Sequence, residues 1–340
     1  MMKQTYSFDD VLLVPQYSKI ESRSEINIGS KLDARSEFEL PVISSPMDTV
    51  TESAMAARLC KSGGLGILHR YNSIAEQVLM AEESVRLGAT SLAAAVGATG
   101  DYVERAQRLV DAGARFICID IAHGHHSLMR TALRNLRSNV GDGIHIMAGN
   151  VATLGAFEDL ADWGADSVRV GIGGGSICST RIVTGHGIPT LQSILDCART
   201  SYDTKIIADG GIKTSGDIVK ALAAGADFVM VGSMLAGTDE TPGEVLHGSD
   251  GQKFKEYRGM ASREAQRSWR GKSSSPEGVA TMVPYRGPVE DILEDLAGGI
   301  RSGLSYTGVH SIGGLQGRAH FILQSSAAQL ESNTHILWRK

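Results

Sequence analysis

The chain has 340 residues and a formal net charge of −5, and it contains no local run of Lys or Arg. This charge gives no electrostatic basis for binding nucleic acid, so no nucleic-acid partner is expected. Hydrophobic residues make up 42% of the chain, but no apolar stretch approaches the roughly 18 residues that a membrane span needs, which argues against a membrane partner. Four cysteines without the spacing of a disulfide framework, together with a polar N-terminal segment, predict a cytoplasmic protein.

Eight short apolar runs rich in β-branched residues alternate with segments of helical periodicity along the chain. The predicted strands are residues 41–46, 64–69, 92–97, 116–123, 144–151, 168–173, 205–211 and 228–235. The predicted helices between them are residues 51–61, 74–87, 102–112, 128–136, 154–163, 191–200 and 215–224. Several of these helices run into a glycine, where a left-handed cap is expected: Gly63, Gly88, Gly113, Gly164 and Gly225.

This alternation predicts the fold class. Near-continuous apolar strands between helices indicate a parallel sheet covered on both faces, and eight β-α units favour a closed (β/α)8 TIM barrel. The alternative is that one run is a buried helix and that the sheet is open. We expect residues 1–340 to form a single barrel domain, with residues 1–40 as an N-terminal extension that makes a hairpin or cap at one end of the barrel.

A long polar and irregular segment, residues 237–287, follows the eighth predicted strand. Segments of this kind inside a compact domain are most often active-site lids, so we predict a lid here. Residues 288–303 have the pattern of a helix that closes the domain.

One cysteine differs from the other three in its surroundings. Cys178 lies in the glycine-rich segment 171–180, directly after the apolar stretch 167–170. Cys60, Cys118 and Cys197 lie within helical or strand patterns and are expected to be small buried hydrophobes. Because a thiol on a loop at the C-terminal end of a strand can approach a bound ligand, Cys178 is predicted to be a nucleophile rather than a structural residue.

A Gly-Gly pair and a Gly-Ser pair mark the place where TIM barrels commonly hold a phosphate, after strands seven and eight. Asp209-Gly210-Gly211 ends the seventh predicted strand, and Gly232-Ser233 lies in the eighth. Adjacent glycine amides form a concavity for anions, and the Asp209 carboxylate can accept hydrogen bonds from a ribose diol. Together with Ser176 in the cysteine segment, these residues predict a phosphorylated ligand. The alternative for Asp209 is a helix or turn cap.

Seven segments spread over nearly the whole chain carry a specific combination of residues. They are residues 8–15 (FDDVLLVP), 44–50 (SSPMDTV), 119–125 (IDIAHGH), 148–151 (AGNV), 171–180 with its cysteine, 207–211 (IADGG) and 257–260 (YRGM). Together they resemble the family of inosine monophosphate (IMP) dehydrogenases and guanosine monophosphate (GMP) reductases. The resemblance implies a TIM barrel, the fold that the strand count predicts, and a homotetramer.

The resemblance also implies a role for each matching residue. Cys178 would attack C2 of a purine mononucleotide, while Thr180 and the lid residue Glu277 would assist the leaving group or water. The implied substrate-binding residues are Ser176, Gly211, Gly232, Ser233 and Tyr257 for the 5′-phosphate, Asp209 for the ribose, and Ser45, Met47 and Met260 for the base, with Gly259 beside them. The alternatives are a core role for Met47 and a solvated lid position for Glu277.

Two further ligands are implied by the same resemblance. Asp120 and Asn150 match positions near the nicotinamide cofactor. A monovalent cation such as K⁺ would bind the backbone carbonyls of Gly173, Gly175 and Cys178, with Glu331 contributed by a neighbouring subunit.

Two reactions in the family use the same covalent chemistry. In one, ammonia leaves GMP and a hydride from NADPH gives IMP; in the other, IMP gives a hydride to NAD and water then yields xanthosine monophosphate. Dehydrogenases typically insert regulatory modules after the second strand, and none fits here. The interval from Met260 to Glu277 also contains no Arg-Tyr pair, so we favour an NADPH-dependent GMP reductase.

Two alternatives remain at this point. The segment 44–47 looks more like a dehydrogenase, and Arg270 could activate water, so an IMP dehydrogenase that uses NAD and lacks regulatory modules is the first alternative. The second is a purine-nucleotide-binding protein without catalytic activity. The complete set of Cys178, Thr180 and Glu277 argues against the second.

Overall fold

The computed structural model describes residues 2–332 and residue 334. Three short strands, β1 (Val11–Leu13), β2 (Ser30–Asp33) and β3 (Ser36–Phe38), precede a closed barrel of eight parallel strands. The barrel strands are β4 (Val42–Ser44), β5 (Leu65–Leu68), β6 (Ala93–Val96), β7 (Phe116–Asp120), β8 (His145–Val151), β9 (Ser167–Val170), β10 (Lys205–Asp209) and β11 (Phe228–Val231). Strand β4 pairs with β5 on one side and with β11 on the other, which closes the barrel and confirms the predicted (β/α)8 fold.

The predicted strands are in the right places, but several extend too far at their C-terminal ends. The sixth was predicted over residues 168–173, whereas β9 ends at Val170. Gly171 then takes a φ of 147°, in the region that L residues avoid, and an added Cβ would collide with the carbonyl oxygen of Asp209. The sequence remains apolar across this point, so composition alone does not show where the backbone leaves the sheet.

Helices lie between successive strands of the barrel. They are α1 (Ser53–Lys61), α2 (Ile74–Arg86), α3 (Tyr102–Asp111), α4 (Ser127–Val140), α5 (Leu154–Asp162), α6 (Thr180–Thr184), α7 (Thr190–Cys197) and α8 (Ser215–Ala223). All except the short α6 were predicted. The glycines expected to cap five of them have φ between 81° and 114°, as left-handed caps require: Gly63, Gly88, Gly113, Gly164 and Gly225.

The β2–β3 hairpin closes the N-terminal end of the barrel, as the predicted hairpin or cap would. Phe38 at the end of β3 packs its ring against Phe116 and Phe228, with centroid distances of 5.8 and 5.9 Å. These two residues begin strands β7 and β11, so the hairpin lies at the end opposite the strands' carboxyl termini. The C-terminal end is thereby left as the open end of the barrel.

The predicted lid, residues 237–287, is more regular than its sequence indicated. It contains β12 (Leu246–His247), β13 (Lys253–Arg258), α9 (Arg263–Arg270) and β14 (Ala280–Pro284), and the three strands form an antiparallel sheet. The alternation of β13 was hidden because one of its two buried residues is a lysine, Lys255, and the other is Tyr257. The Lys255 ammonium donates to the carbonyl oxygens of Thr238 and Thr241 at 3.1 and 2.5 Å, which satisfies its buried charge.

The C-terminal part contains α10 (Val289–Thr307), α11 (Ile312–Arg318), β15 (Phe321–Leu323) and α12 (Ser326–Glu331). Helix α10 is the predicted closing helix and runs four residues beyond position 303. Strand β15 pairs antiparallel with β1, with Leu12 opposite Ile322. In the part of the chain that the structure describes, no helix has both the length and the apolar character to cross a membrane.

A buried histidine joins the hairpin to the barrel. His145, the first residue of β8, is 2% exposed; its Nδ1 lies 3.0 Å from Asp33 Oδ2, and its Nε2 lies 2.8 Å from Ser167 Oγ. Burial lowers the pKa of His145, and it outweighs Asp166 and Asp33, which act in the opposite direction. The folded chain therefore holds this imidazole neutral at a pH where the unfolded chain would protonate it.

Stability should consequently fall as the pH drops below about 6.5, the ordinary pKa of histidine. The unfolded state then binds a proton that the folded state does not, which costs at most about 1.4 kcal/mol per pH unit for one group. His145→Gln should show a smaller loss between about pH 7.5 and pH 5.5 in urea unfolding, although it starts from a lower stability. The exposed His186→Gln serves as the control and should follow the wild type. Parallel pH profiles for the His145 variant and the wild type would contradict this explanation.

Candidate active site

A cavity of about 680 Å³ opens at the carboxyl ends of the barrel strands, where barrel enzymes place their sites. It brings together every residue predicted for catalysis, for substrate and for cofactor: Ser45, Met47, Asp120, Asn150, Ser176, Cys178, Thr180, Asp209, Gly211, Gly232, Ser233, Tyr257, Gly259, Met260 and Glu277. These residues come from separate stretches of the sequence. The barrel therefore assembles the predicted set into one concave site.

The loop that carries Cys178 lies close against the end of β10. An added Cβ at Gly174 would come within 2.5 Å of the Thr190 hydroxyl oxygen, and one at Gly210 would come within 3.0 Å of the Gly174 carbonyl carbon. Both approaches require a residue without a side chain. The glycines thus let the cysteine loop and the Asp209-Gly210-Gly211 turn pack backbone against backbone.

Backbone hydrogen bonds join the lid to the cysteine loop. The amide of Ser179 donates to the Glu277 carbonyl at 3.0 Å, and the amide of Val279 donates to the Ile177 carbonyl at 3.0 Å. These bonds pair two segments that are about a hundred residues apart in the sequence. As a result, the segment predicted as a lid is held beside Cys178, and the Glu277 side chain faces Thr180 at the start of α6.

The pairing produces a continuous chain of three side chains. The Cys178 thiol donates to Thr180 Oγ1 at 3.2 Å, and the Thr180 hydroxyl donates to Glu277 Oε2 at 2.8 Å. Each group lies within reach of proton transfer to the next. The arrangement can carry a proton between the sulfur and a carboxylate, which is what activation of a nucleophilic thiol requires.

Hydroxyl groups converge on Gly232 and Ser233, directly after β11. Tyr257 is 4% exposed and hydrogen-bonds with the hydroxyls of Ser176 and Ser233. Its phenol oxygen would lie 3.2 Å from a Cβ placed on Gly232. Burial raises the pKa of Tyr257 despite these hydrogen bonds, so the phenol remains a hydrogen-bond donor at neutral pH. These three hydroxyls line the same cavity as Gly210 and Gly211 and form a neutral cluster that could accept a phosphate.

Met47 and Met260, both predicted to contact a base, are joined through an ion pair. The Arg258 guanidinium contacts the Asp48 carboxylate, with Nη2 at 2.6 Å from Oδ2, and the Asp48 amide donates to the Met260 sulfur at 3.3 Å. The pair is largely buried, with side-chain exposures of 18% for Arg258 and 11% for Asp48. It fixes the loop after β4 against the base of the lid and so sets the distance between the two methionines.

The Asp209 carboxylate, predicted to bind a ribose, already accepts hydrogen bonds from other side chains. Its Oδ2 accepts from Asn150 Nδ2 at 2.7 Å and from Arg169 Nη2 and Nε at 2.9 and 3.2 Å. Because these three bonds fall on Oδ2, Oδ1 is the oxygen that a ribose hydroxyl would meet. Asn150, which was predicted to lie near the cofactor, therefore also contacts Asp209, the residue predicted to bind the ribose.

Sequence reasoning missed several residues that line the cavity: Arg70, Tyr71, Arg169 and Thr190. Arg169 lies within the predicted apolar strand of residues 168–173, and a charged residue at the centre of a buried strand is the signal that could have revealed it. Arg70 directly follows the second predicted strand, at the carboxyl end where site residues are expected. Arg270, considered as a water-activating residue, also lines the cavity, and its neighbour Trp269 stacks on Tyr71 at 6.0 Å.

The carbonyls predicted for a monovalent cation lie in the cysteine loop. The Gly175 carbonyl accepts the Cys178 amide at 3.1 Å, and the Arg181 side chain packs against Gly173. Glu331 is exposed at the end of α12. Within residues 2–332 and 334, the structure contains no group of three or more His, Cys, Asp or Glu side chains that could hold a metal ion.

Comparison with known proteins gives a consistent result. A family described as "IMP dehydrogenase / GMP reductase domain" matches residues 5–335. The inosine-5′-monophosphate dehydrogenase of Nitrosopumilus maritimus is 36% identical over 470 aligned positions, which cover 98% of each chain. The GMP reductase of Leishmania major is 34% identical over 474 positions, covering 97% of this chain and 96% of the relative. A crystal structure of a GMP reductase variant from Trypanosoma brucei in complex with guanosine 5′-monophosphate superposes with a TM-score of 0.93 at 33% identity, covering 98% of both chains.

The fold and site define a TIM-barrel protein whose cavity brings a loop cysteine together with a cluster of hydroxyl groups. The chain belongs to the IMP dehydrogenase / GMP reductase family, whose members are oxidoreductases that act on IMP or GMP. The predicted family is therefore confirmed. The absence of inserted regulatory modules does not favour a reductase. The reductase and the dehydrogenase above both align over far more positions than the 340 residues of this chain. Both relatives carry long insertions, so the lack of one does not mark a reductase.

Cys178→Ser should abolish turnover and leave nucleotide binding intact, because an alcohol forms an anion far less readily than a thiol but preserves the loop. Steady-state rates and a calorimetric titration with GMP measure the two effects. Cys60→Ser is the matched control, since the Cys60 sulfur lies against the Thr90 and Ser91 amides outside the cavity, and this variant should retain full activity. If the Cys178 variant kept a tenth of the wild-type rate, Cys178 would have no place in the mechanism.

Asp209→Ala should raise the KM for the nucleotide by roughly ten- to 150-fold, which corresponds to the loss of a charge-assisted hydrogen bond of about 1.5 to 3 kcal/mol. The turnover number should change less, because the ribose contact is present before and during the reaction. Asp166→Ala controls for the loss of a carboxylate that pairs with an arginine, since Asp166 accepts from Arg137 outside the cavity. An unchanged nucleotide KM in the Asp209 variant would remove Asp209 from the ribose site.

Proposed function

We propose that the chain is an NADPH-dependent GMP reductase. It converts GMP, NADPH and a proton into IMP, NADP⁺ and ammonia through a covalent adduct between Cys178 and purine C2. The observation that carries the proposal is the chain of hydrogen bonds from the Cys178 thiol through Thr180 to Glu277. Loss of ammonia needs a proton delivered to nitrogen, and this chain ends in a carboxyl group that can supply it.

The relay acts twice in the reaction. The Cys178 sulfur first loses its proton through Thr180 towards Glu277 and forms a bond to C2, while the electron pair of the C2–N3 double bond moves to N3, which gives a tetrahedral adduct. The proton then returns through Thr180 to the 2-amino nitrogen. The C2–N bond breaks with its electron pair leaving on nitrogen, and a planar thioimidate remains. A hydride would then add at C2, and the sulfur would depart with the C–S pair, which completes IMP; the resulting Cys178 thiolate takes up the proton that the overall reaction consumes.

The remaining residues hold the nucleotide away from the reacting carbon. The hydroxyls of Ser176, Ser233 and Tyr257, with the glycines Gly211 and Gly232, would bind the 5′-phosphate. Asp209 would bind the ribose, while Ser45, Met47 and Met260 would contact the base. Fixing the nucleotide at its far end lets binding energy orient C2 towards the Cys178 sulfur, which lowers the entropic cost of attack.

NADPH would supply the hydride when it is bound, and two polar residues of the cavity would hold its nicotinamide end. Asp120 and Asn150 line the same cavity as Cys178. The Asp120 carboxyl is buried, yet Arg169 and Arg70 hold its pKa below the ordinary value, so it remains an anion that can accept hydrogen bonds from a carboxamide or a ribose. These two residues would orient the ring towards C2.

An IMP dehydrogenase that uses NAD is the second candidate, and the position of Arg270 favours it. Arg270 lines the cavity together with Cys178 and Tyr71, where a guanidine could activate the water that hydrolyses the thioimidate. The relatives include dehydrogenases as well as reductases. A purine-nucleotide binder without activity is disfavoured, because three aligned proton-transfer groups have no role in binding alone.

Two further properties belong to the proposal. The carbonyls of Gly173, Gly175 and Cys178 lie on one glycine-rich turn and offer oxygen ligands that suit K⁺, with Glu331 from a neighbouring copy; a cation there would stiffen the cysteine loop. We also propose that the protein is a homotetramer. A cytoplasmic location is proposed as well, and it is consistent with the free state of Cys60, Cys118, Cys178 and Cys197.

The reaction is tested by following the near-ultraviolet absorbance of the reduced nicotinamide in both directions. Glu277→Gln should nearly abolish GMP reduction with NADPH, because a carboxamide keeps the shape and hydrogen bonds of the carboxyl group but cannot shuttle the proton. Arg270→Ala should have a modest effect on that reaction. Exposed Arg263→Ala, at the start of the same lid helix α9, is the control for general damage to the lid.

The opposite pattern identifies the dehydrogenase. With IMP and NAD as substrates, Arg270→Ala would then block hydrolysis after a normal burst of NADH, while Glu277→Gln would be mild. That result, together with no reduction of GMP by the wild type, would overturn the proposed function. Inactivity of the wild type in both directions, with intact GMP binding, would instead support the non-catalytic binder.

A further inference from the structure

One buried arginine contacts two carboxylates that the proposed function assigns to different ligands. Arg169 is 6% exposed; its Nη1 lies 2.6 Å from Asp120 Oδ1, and its Nη2 lies 2.9 Å from Asp209 Oδ2. Asp209 is the proposed ribose contact and Asp120 the proposed cofactor contact. A single guanidinium therefore stands between the two binding regions of the cavity.

The two aspartates compete for this positive charge. Burial alone would lower the pKa of Arg169, yet Asp209 and Asp120 raise it well above the ordinary value, so the guanidinium stays charged. The Asp120 carboxylate has a second, weaker partner in Arg70, whose Nε lies 3.6 Å from Oδ2. Asp209 has the Asn150 amide instead, which carries no charge. Any change in the charge on Asp209 consequently alters how strongly Arg169 holds Asp120.

We propose that Arg169 is a positioning residue that couples nucleotide binding to cofactor binding, an inference that rests on the proposed function. A ribose hydroxyl that donates to Asp209 Oδ1 partly neutralises this carboxylate and weakens its hold on Arg169. The guanidinium then pairs more strongly with Asp120 and fixes the orientation in which Asp120 receives the cofactor. Nucleotide binding thereby tightens cofactor binding, and the cofactor must tighten nucleotide binding by the same factor.

The coupling is measured on a Cys178→Ser background, where GMP and NADPH bind without reacting. NADPH is titrated by its nicotinamide fluorescence with and without saturating GMP. In this parent protein, GMP should tighten NADPH binding by about fivefold or more, the range of ordinary allosteric couplings. Arg169→Gln removes the shared charge and should bring the ratio of the two dissociation constants close to one, while each ligand still binds alone. Arg169→Lys, which restores the charge, should recover part of the coupling.

Asp209→Asn gives the sharper test, because an amide mimics a carboxylate whose charge is already neutralised. We expect this variant to bind NADPH about threefold or more tightly than the parent when GMP is absent, within the range of ordinary couplings. Structural damage would have the opposite effect. Arg105→Gln is the control: Arg105 is 3% exposed and pairs with Asp101 and Gln77 outside the cavity, so its loss should lower stability and leave the coupling ratio unchanged.

The outcomes distinguish a failure of the proposed coupling from a failure of the proposed function. Equal NADPH affinity with and without GMP in the parent would overturn the coupling and leave the reductase intact, as would weaker or unchanged NADPH binding in Asp209→Asn. Failure of the parent to bind NADPH under any condition would overturn the proposed function itself. Titrating NAD with and without IMP then shows whether the coupling belongs to the dehydrogenase reaction instead.

Discussion

The chemistry of this site depends on the backbone pairing between the lid and the cysteine loop. The bonds from Ser179 to Glu277 and from Val279 to Ile177 hold the two segments together. Without them, the Thr180 hydroxyl would lose the carboxylate to which it donates, and the Cys178 thiol would lose its route to that carboxylate. This pairing of main-chain atoms fixes the backbone positions from which the Thr180 and Glu277 side chains reach each other.

The aspartates at the two ends of the barrel have different partners, and this difference separates structural from site residues. At the closed end, Asp166 Oδ2 accepts the Ile146 amide at 2.7 Å and Asp227 Oδ2 accepts the Ile206 amide at 2.8 Å. Both aspartates stand in a Gly-Ala-Asp sequence just before a strand, and each satisfies a backbone donor of the neighbouring strand. At the open end, the carboxylates of Asp120 and Asp209 pair with Arg169 instead. These face the cavity, where a ligand can compete for them.

The sequence predicts what local pattern controls and misses what distant contacts control. All eight barrel strands follow from apolar runs, and the helix ends follow from glycines such as Gly164. The lid sheet escapes prediction because its buried positions include Lys255, whose ammonium is satisfied by carbonyl oxygens that only the folded chain brings near. Arg169 escapes for a related reason: its role comes from Asp120 and Asp209, which lie 49 and 40 residues away. Site residues in recognisable motifs are therefore predictable, whereas the sequence shows Arg169 only as a charge inside an apolar run and leaves its partners to the fold.

The choice between reduction and oxidation depends on a small part of the cavity. In both candidate reactions Cys178 would form the same bond to C2, so the proposed nucleophile, phosphate cradle and ribose contact do not distinguish them. The difference lies in the direction of proton transfer: the amino nitrogen must gain a proton to leave as ammonia, whereas a water must lose a proton to attack. Glu277, hydrogen-bonded to Thr180 at 2.8 Å, is placed to give a proton back through the hydroxyl. Arg270 carries a permanent charge and is suited to stabilising hydroxide rather than to protonating a leaving group. Since the geometry ties Glu277, and not Arg270, into a hydrogen-bond chain with the nucleophile, it favours departure of ammonia.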